Sequence, residues 1–321
     1  MNLDKLLYKG GDPMVYAASM ASTWIWAPAI FVAASMGYFY GWAGVALFSI
    51  PNALAILLFG IFASKVISVN PDGITFLNAL ESAPKPQREL HLGIGMVVTA
   101  CSTIVQLLGM HLLLSTWFDI PIFVSALIVS VISLIIVWRH GLKGSIISDY
   151  WKWFVTVACG CVLVGFLLAD PSVSLSRAKV FDPSDLGYLV SFGLTATIGW
   201  WCAPYADQTF WQRAYSCGKD NVLTVFGLAS LMFVFVPILF GVVGLLSAST
   251  GIVEGWTVAS AFGTSWLGIV LGAAVFCALL STLDSNLCAV QSLAETEFGL
   301  DGRIAMLILL GASSILSLIH I

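Results

Sequence analysis

Ala278-Leu279-Leu280-Ser281-Thr282-Leu283-Asp284-Ser285-Asn286 sets five polar side chains, one of them an acid, deep inside the otherwise apolar run Trp266–Val290. Ala274, Ala278, Ser281, Ser285 and Cys288 recur at helical spacing, so one helix face is small and lets another helix approach closely. Small-residue packing accounts for the alanines but not for the acid. Asp284 reads as the only carboxylate away from a membrane edge, and such acids mark ion paths or substrate contacts unless a neighbouring helix holds them by a hydrogen bond. The hydroxyls of Ser281 and Thr282, with backbone carbonyls, offer the hard oxygen ligands that replace a small cation's water shell.

Apolar runs of this length recur along the chain. A hydrocarbon core of about 30 Å takes about 20 helical residues to cross. Nine runs fit: Met14–Tyr38, Gly41–Ile67, His91–Ser115, Ile120–Trp138, Trp151–Ala169, Gly187–Ala206, Val222–Ala248, Trp266–Val290 and Arg303–Ile321. The connections are too short for a soluble domain, so residues 1–321 read as a single all-α, multi-pass membrane domain. The 321 residues are 59% hydrophobic and 9% charged, too little charge to cover a water-facing surface, so lipid is the solvent. A net charge of -4 without a Lys/Arg cluster argues against nucleic acid as a partner. The seven cysteines show no CxxC or His-rich spacing and read as apolar packers. No cluster with catalytic or metal-ligand spacing stands out, so the chain does not read as an enzyme.

Basic residues set the orientation. Lys5, Lys9, Lys65, Lys85, Arg88, Arg139, Lys143, Lys152, Arg213, Lys219 and Arg303 flank spans on one side, against Arg177 and Lys179 on the other. Basic connections stay cytoplasmic, which places the N-terminus inside a plasma or inner membrane. Met1–Pro13 is polar and shows no cleavable signal peptide. The last run stops at Ile321 without a polar tail, which reads as a truncated chain or gene fragment.

Span 1 carries a second break in the apolar pattern, at Ser19-Met20-Ala21-Ser22-Thr23-Trp24-Ile25-Trp26-Ala27-Pro28. Pro28 lacks an N–H and presses on the carbonyl of Trp24, which frees carbonyls near mid-membrane for a cation; a plain proline kink is the alternative. Span 3 carries Gln106 and His111, and span 6 carries Thr195, Thr197, Trp200, Trp201 and Tyr205. Polar groups among aromatics shape small-solute pockets, although aromatics near helix ends also form interfacial belts. His111 reads as a packing or edge residue.

Four stretches carry a resemblance to the sodium/solute symporter family. Ala18–Ile25 with Met36-Gly37-Tyr38 is similar to that family's first core helix, and Gly141-Leu142-Lys143-Gly144-Ser145-Ile146-Ile147-Ser148-Asp149 to the segment entering its fifth. Asp207-Gln208-Thr209-Phe210-Trp211-Gln212-Arg213 resembles its Gln-x-x-x-Gln-Arg stretch, and Ala278-x-x-Ser281-Thr282 its sodium-site motif in core helix 8. Thr23-Trp24-Ile25-Trp26-Ala27 and Asp207-Gln208-x-x-Trp211-Gln212 look closest to the urea-transporter branch.

The resemblance implies the inverted five-helix-repeat fold of the leucine transporter, with residues 14–169 as the first repeat and 187–321 as a second repeat lacking its last helix. The helix that usually precedes core helix 1 is also missing. It implies sodium held by the carbonyls of Ser22, Ile25 and Ala278 and the hydroxyls of Ser281 and Thr282. Asp149 matches an acid on the ion's exit route, with an ordinary surface pair to Lys143 or Lys152 as the alternative; Asp284 is the other ion-pathway candidate. A pocket for a small polar, urea-like solute is expected between spans 1, 3 and 6, lined by Trp24, Gln106, Trp200 and Trp201. The expected function is sodium-coupled symport by alternating access, with proton coupling through Asp284 as a variant. The rivals are a non-transporting membrane sensor or binding module and a non-functional symporter fragment.

Overall fold

A computed structural model of the chain describes residues 6–118, 120–171, 173, 180–249 and 265–319. Lys5, Arg177, Lys179 and the last two residues of span 9 lie outside the described residues. The helices are α1 (Pro13–Trp24), α2 (Ala27–Val69), α3 (Lys85–Phe118), α4 (Ile122–Ala169), α5 (Leu186–Ala206), α6 (Gln208–Cys217), α7 (Val222–Ser249), α8 (Trp266–Glu297) and α9 (Gly302–Ile319). Short 3-10 turns at Phe76–Leu80 and Pro183–Asp185 sit in the connections.

Six of these helices are long and apolar enough to cross a membrane. Two of the six, α2 with 43 residues and α4 with 48, are each about twice the length a single crossing needs. Each is divided at a glycine with backbone angles essentially closed to other residues: Gly41 at φ 63, ψ -149 and Gly141 at φ 56, ψ -149. Residues 27–40 therefore continue span 1 beyond its break, residues 42–69 form span 2, and the two parts of α4 are spans 4 and 5. Span 5 begins directly after Gly141 rather than at Trp151. Residues 142–150, read from sequence mostly as a connection, are helical, with the backbone break confined to Gly141.

Spans 1 and 6 are both interrupted. Span 1 parts between Trp24 and Ala27, and span 6 parts at Asp207, between α5 and α6. At Asp207 the break is stabilised locally: the carboxylate accepts the Thr209 N–H at 2.8 Å and caps α6. Pro28 falls in the first turn of α2, where a missing N–H costs nothing.

α1 and α8 form the centre. Every residue from Tyr16 to Trp24 is buried. α1 packs on α4, α7, α8 and α6, and α8 packs chiefly on α4 and α3. α5 lies at the edge, with Leu194 and Ile198 among its exposed apolar side chains. Such outward apolar surface fits a lipid-facing bundle.

α2 and α7 are the most closely packed pair of helices. A Cβ added at Gly244 would lie 1.8 Å from the Ala34 carbonyl oxygen, and one at Gly37 would lie 1.9 Å from that of Gly241. Glycine here removes the side-chain layer between two helices, as in close membrane packings. Gly37→Ala and Gly244→Ala should each destabilise the fold by about 1–3 kcal/mol, because backbone cannot yield as a flexible side chain does. At Gly227, where an added Cβ meets nothing within 4 Å, the same change should be neutral or mildly stabilising. Thermal unfolding in detergent checks the contrast; equal effects at the three positions would refute the close-packing account.

Candidate functional site

At the break in span 1 the backbone leaves the helix at Ile25 (φ -80, ψ 84) and re-enters after Trp26 (φ -68, ψ 147). The Ile25 N–H turns back to the Ser22 carbonyl at 3.1 Å, and the Trp26 N–H to that of Trp24 at 3.1 Å. The hydroxyl of Thr282 on α8 meets this broken stretch. It lies 2.9 Å from the Thr23 carbonyl, 3.5 Å from that of Ile25 and 3.3 Å from that of Ala278. A hydroxyl has one proton and satisfies one of these carbonyls fully. The others keep lone pairs directed at the same small volume.

Two more hydroxyls lie in the same two helices, each with one proton and two lone pairs. Ser22 Oγ and Ser281 Oγ are fully buried and have no hydrogen-bond partner. Buried hydroxyls without partners are uncommon and call for a physical account. Acceptors outnumber donors here, which is the chemistry that favours a cation. Of the five residues expected to hold sodium, the structure brings Ile25, Ala278 and Thr282 within hydrogen-bonding distance. Ser22 and Ser281 sit one turn away and one residue away in the same two helices. The residues present fit a small monovalent cation by donor chemistry.

Next to this locus lies a cluster of buried charge. Arg213, fully buried on α6, donates from Nη2 to Asp149 Oδ2 at 2.9 Å and to Ser285 Oγ at 2.6 Å. Its Nε donates to Ser19 Oγ at 2.9 Å, and that hydroxyl donates in turn to Asp149 Oδ2 at 2.9 Å. Lys152 donates to Asp149 Oδ1 at 3.4 Å, to Ser148 Oγ at 3.1 Å and to Asp284 Oδ2. Thr23 Oγ1 lies 3.0 Å from Ser285 Oγ, and Ser285 donates to the Ser281 carbonyl at 2.8 Å. The charge cluster and the carbonyl-rich locus thus meet at Thr23 and Ser281.

Three sequence readings change here. Asp149 is fully buried within a helix and is no surface pair. Asp284 is therefore not the only acid away from a membrane edge. Lys152 and Arg213, counted by sequence among connecting-loop charges, are 8% and 0% exposed, because each has a carboxylate to pair with. The signal was present as Asp149 and Lys152, three apart and so on one helix face. Arg213 follows Thr209-Phe210-Trp211-Gln212, and all ten residues of α6 are buried. A reading by helix face rather than by membrane edge would have found both.

The expected solute residues separate. A cavity of about 410 Å³ lies between spans 1, 2 and 6, with Trp24, Asn52, Phe192 and Trp200 among its walls. Trp24 donates its indole N–H to Asn52 Oδ1 at 2.6 Å, and Trp200 stands edge-on to Phe48 with ring centroids 5.3 Å apart. Gln106 is buried on α3, and Trp201 is 39% exposed with its indole bonded to the Pro51 carbonyl at 2.9 Å; neither lines this cavity. Asn52 was missed by the sequence reading, since one asparagine in a long apolar run carries no spacing signal.

No family model and no curated protein matches the chain. Solved structures do. A Na+-coupled sialic acid symporter in a substrate-bound outward-open state aligns with a TM-score of 0.80 at 15% identity, covering 96% of this chain and 73% of that one. A manganese transporter of Eremococcus coleocola aligns at 0.68 with 13% identity, covering 99% and 74%. MhsT in complex with L-phenylalanine aligns at 0.63 with 17% identity, covering 97% and 79%. At such identities the likeness carries the fold, which is the leucine-transporter-like fold expected from sequence.

Taking one partner from a buried ion pair costs about 3–5 kcal/mol, since the other charge is left uncompensated. Arg213→Met should destabilise by about that much. Asp149→Asn/Arg213→Met, which leaves Lys152 balanced by Asp284, should be clearly more stable than Arg213→Met alone. Thermal unfolding of the three chains reads this; simple additivity would show that the charges are not coupled.

Proposed function

We propose that the chain is a sodium-coupled symporter that moves a small solute by alternating access. The observation that carries this reading is the convergence of carbonyls and hydroxyls from the break of span 1 and from α8 on one volume short of donors. Sodium there would satisfy carbonyls that the single Thr282 proton cannot serve together, and it would tie α1 to α8 when bound. The fold shared with the sialic acid symporter supports the reading. Among the described residues no group of three or more His, Cys, Asp or Glu is placed to hold a metal, and a locus of neutral oxygens suits an alkali cation better than a transition metal.

The solute site we assign to the cavity beside Trp24. Trp24 lies between Thr23 and Ile25, whose carbonyls face Thr282, so one short unwound segment belongs to both sites. Ordering it by sodium would fix the cavity wall, which gives coupling a physical route. Asn52 and the Trp24 indole supply polarity among aromatic walls. A small polar solute of the urea-like kind, or a related metabolite with one flat apolar face, matches that mixture.

The N-terminus is assigned to the cytoplasm. Lys143 stands 5.4 Å from the centroid of the Tyr8 ring, and Arg303 stands 4.9 Å from that of Trp138. The N-terminal segment and the connections between spans 4 and 5 and between spans 8 and 9 thus carry their basic residues on one side, which the inward bias of such residues makes cytoplasmic.

Uptake of candidate solutes into proteoliposomes, with sodium exchanged for choline, tests the reading. Hydrogen bonds and ligand contacts to charge are worth about 1.5–3 kcal/mol, so Ser281→Ala and Thr282→Ala should each raise the sodium concentration needed for half-maximal uptake about tenfold or more. Asn52→Ala should instead raise the half-saturating solute concentration and leave the sodium dependence nearly unchanged. Solute binding without uptake would point to a sensor, and uptake that follows a pH gradient but ignores sodium would refute sodium coupling.

A further inference from the structure

Four charged side chains are buried beside the carbonyl-rich locus, two acids and two bases. Arg213 reaches Asp149 through Oδ2. Lys152 reaches the other oxygen of Asp149 and also Asp284 Oδ2. The cluster is neutral only because Lys152 is there. Its surroundings have the composition of a cation site: carboxylate oxygens from α4 and α8 and the Ser148 hydroxyl at 3.1 Å. A second observation points the same way. Asp284 Oδ1 is fully buried and has no hydrogen-bond partner, so the site has an oxygen ligand to spare.

Lysine differs from arginine in ways that matter at such a place. Its ammonium is a compact point charge on a flexible stem, whereas a guanidinium is planar and directional. An ammonium is therefore the side-chain group nearest in shape and charge to a monovalent metal ion. Arg213, by contrast, spreads over Asp149, Ser19, Ser285 and the Thr209 carbonyl, in the manner of a structural clamp.

We propose that the Lys152 ammonium is a built-in cation filling a second cation site, formed by Asp149, Asp284 and Ser148, beside the sodium site. The chain then supplies from its own sequence the positive charge that a second sodium would otherwise bring. Only one external cation is needed, and the number of sodium ions moved with each solute is set by residue 152. Without the amine the cluster is one positive charge short, and a monovalent metal restores both the charge and the missing contact to Asp284. This rests on the symport reading for the first sodium site, the identity of the ion and its coupling to solute.

Equilibrium binding of radioactive sodium to the purified full chain tests it, with wild type, Lys152→Ala and Lys152→Ala/Asp284→Asn compared in sodium and in choline. Wild type should bind one sodium per chain and Lys152→Ala two; the double variant, neutral again without the amine, should return to one. Lys152→Ala should also be recovered folded in sodium and lose thermal stability in choline more than wild type does. Equal stoichiometry in wild type and Lys152→Ala overturns the proposal, as does a Lys152→Ala chain that sodium cannot keep folded. A wild type that binds no sodium refutes the symport reading instead; the second site then stands if Lys152→Ala gains one ion and falls if it gains none.

Discussion

A backbone carbonyl cut off from its helical partner inside an apolar bundle must meet a donor or a cation, since no water is there to take it. In this chain that demand arises at the carbonyls of Thr23 and Ile25, where span 1 leaves its helix. α8 answers it in part, with one hydroxyl from Thr282 set against three carbonyls. The shortfall of donors is what the proposed cation would make good. Both sides of the locus lie on deeply buried helices, so the interaction sits where changes in it reach several neighbours.

The charge cluster shows how such a centre is held in register. Asp149 on α4, Arg213 on α6 and Asp284 on α8 belong to three different spans, and Ser19 and Thr23 of α1 join them. Gln208 and Gln212 extend the same service outward. Gln208 holds the Phe76 N–H at 2.9 Å and Ser292 at 3.1 Å, and Gln212 holds the Cys288 carbonyl at 3.1 Å. A short helix with every residue buried thus ties the break of span 6 to α8 and to the connection after span 2. Polar networks of this kind favour one arrangement over near alternatives when fully satisfied, and they switch sharply when one member is withdrawn.

The sequence was most legible where physics repeats. Apolar runs set by bilayer thickness fall on helices among the described residues, six of them long and apolar enough to cross a membrane, and the hydroxyl pair in span 8 stood out against its background. The glycines at 41 and 141 were visible as residues, but the absence of a loop around either was not, which displaced the start of span 5. Lys152 and Arg213 were misplaced for a related reason. Charge in a membrane chain reads as edge unless the partner is known, and their partners lie on other helices or in the stretch taken for a connection. Trp24 and Trp200 meet in one cavity while Trp201 turns outward, a distinction that residue type cannot make because adjacent helical positions point about 100° apart.

The central claim concerns one volume between the broken helix and α8, and paired high-resolution structures determined in sodium and in choline address it directly. The account predicts density in sodium, within coordination distance of the carbonyls of Ser22, Ile25 and Ala278 and the hydroxyls of Ser281 and Thr282, that is lost in choline. Identical maps at that place, with the Thr282 hydroxyl bonded to the Thr23 carbonyl in both, would contradict it.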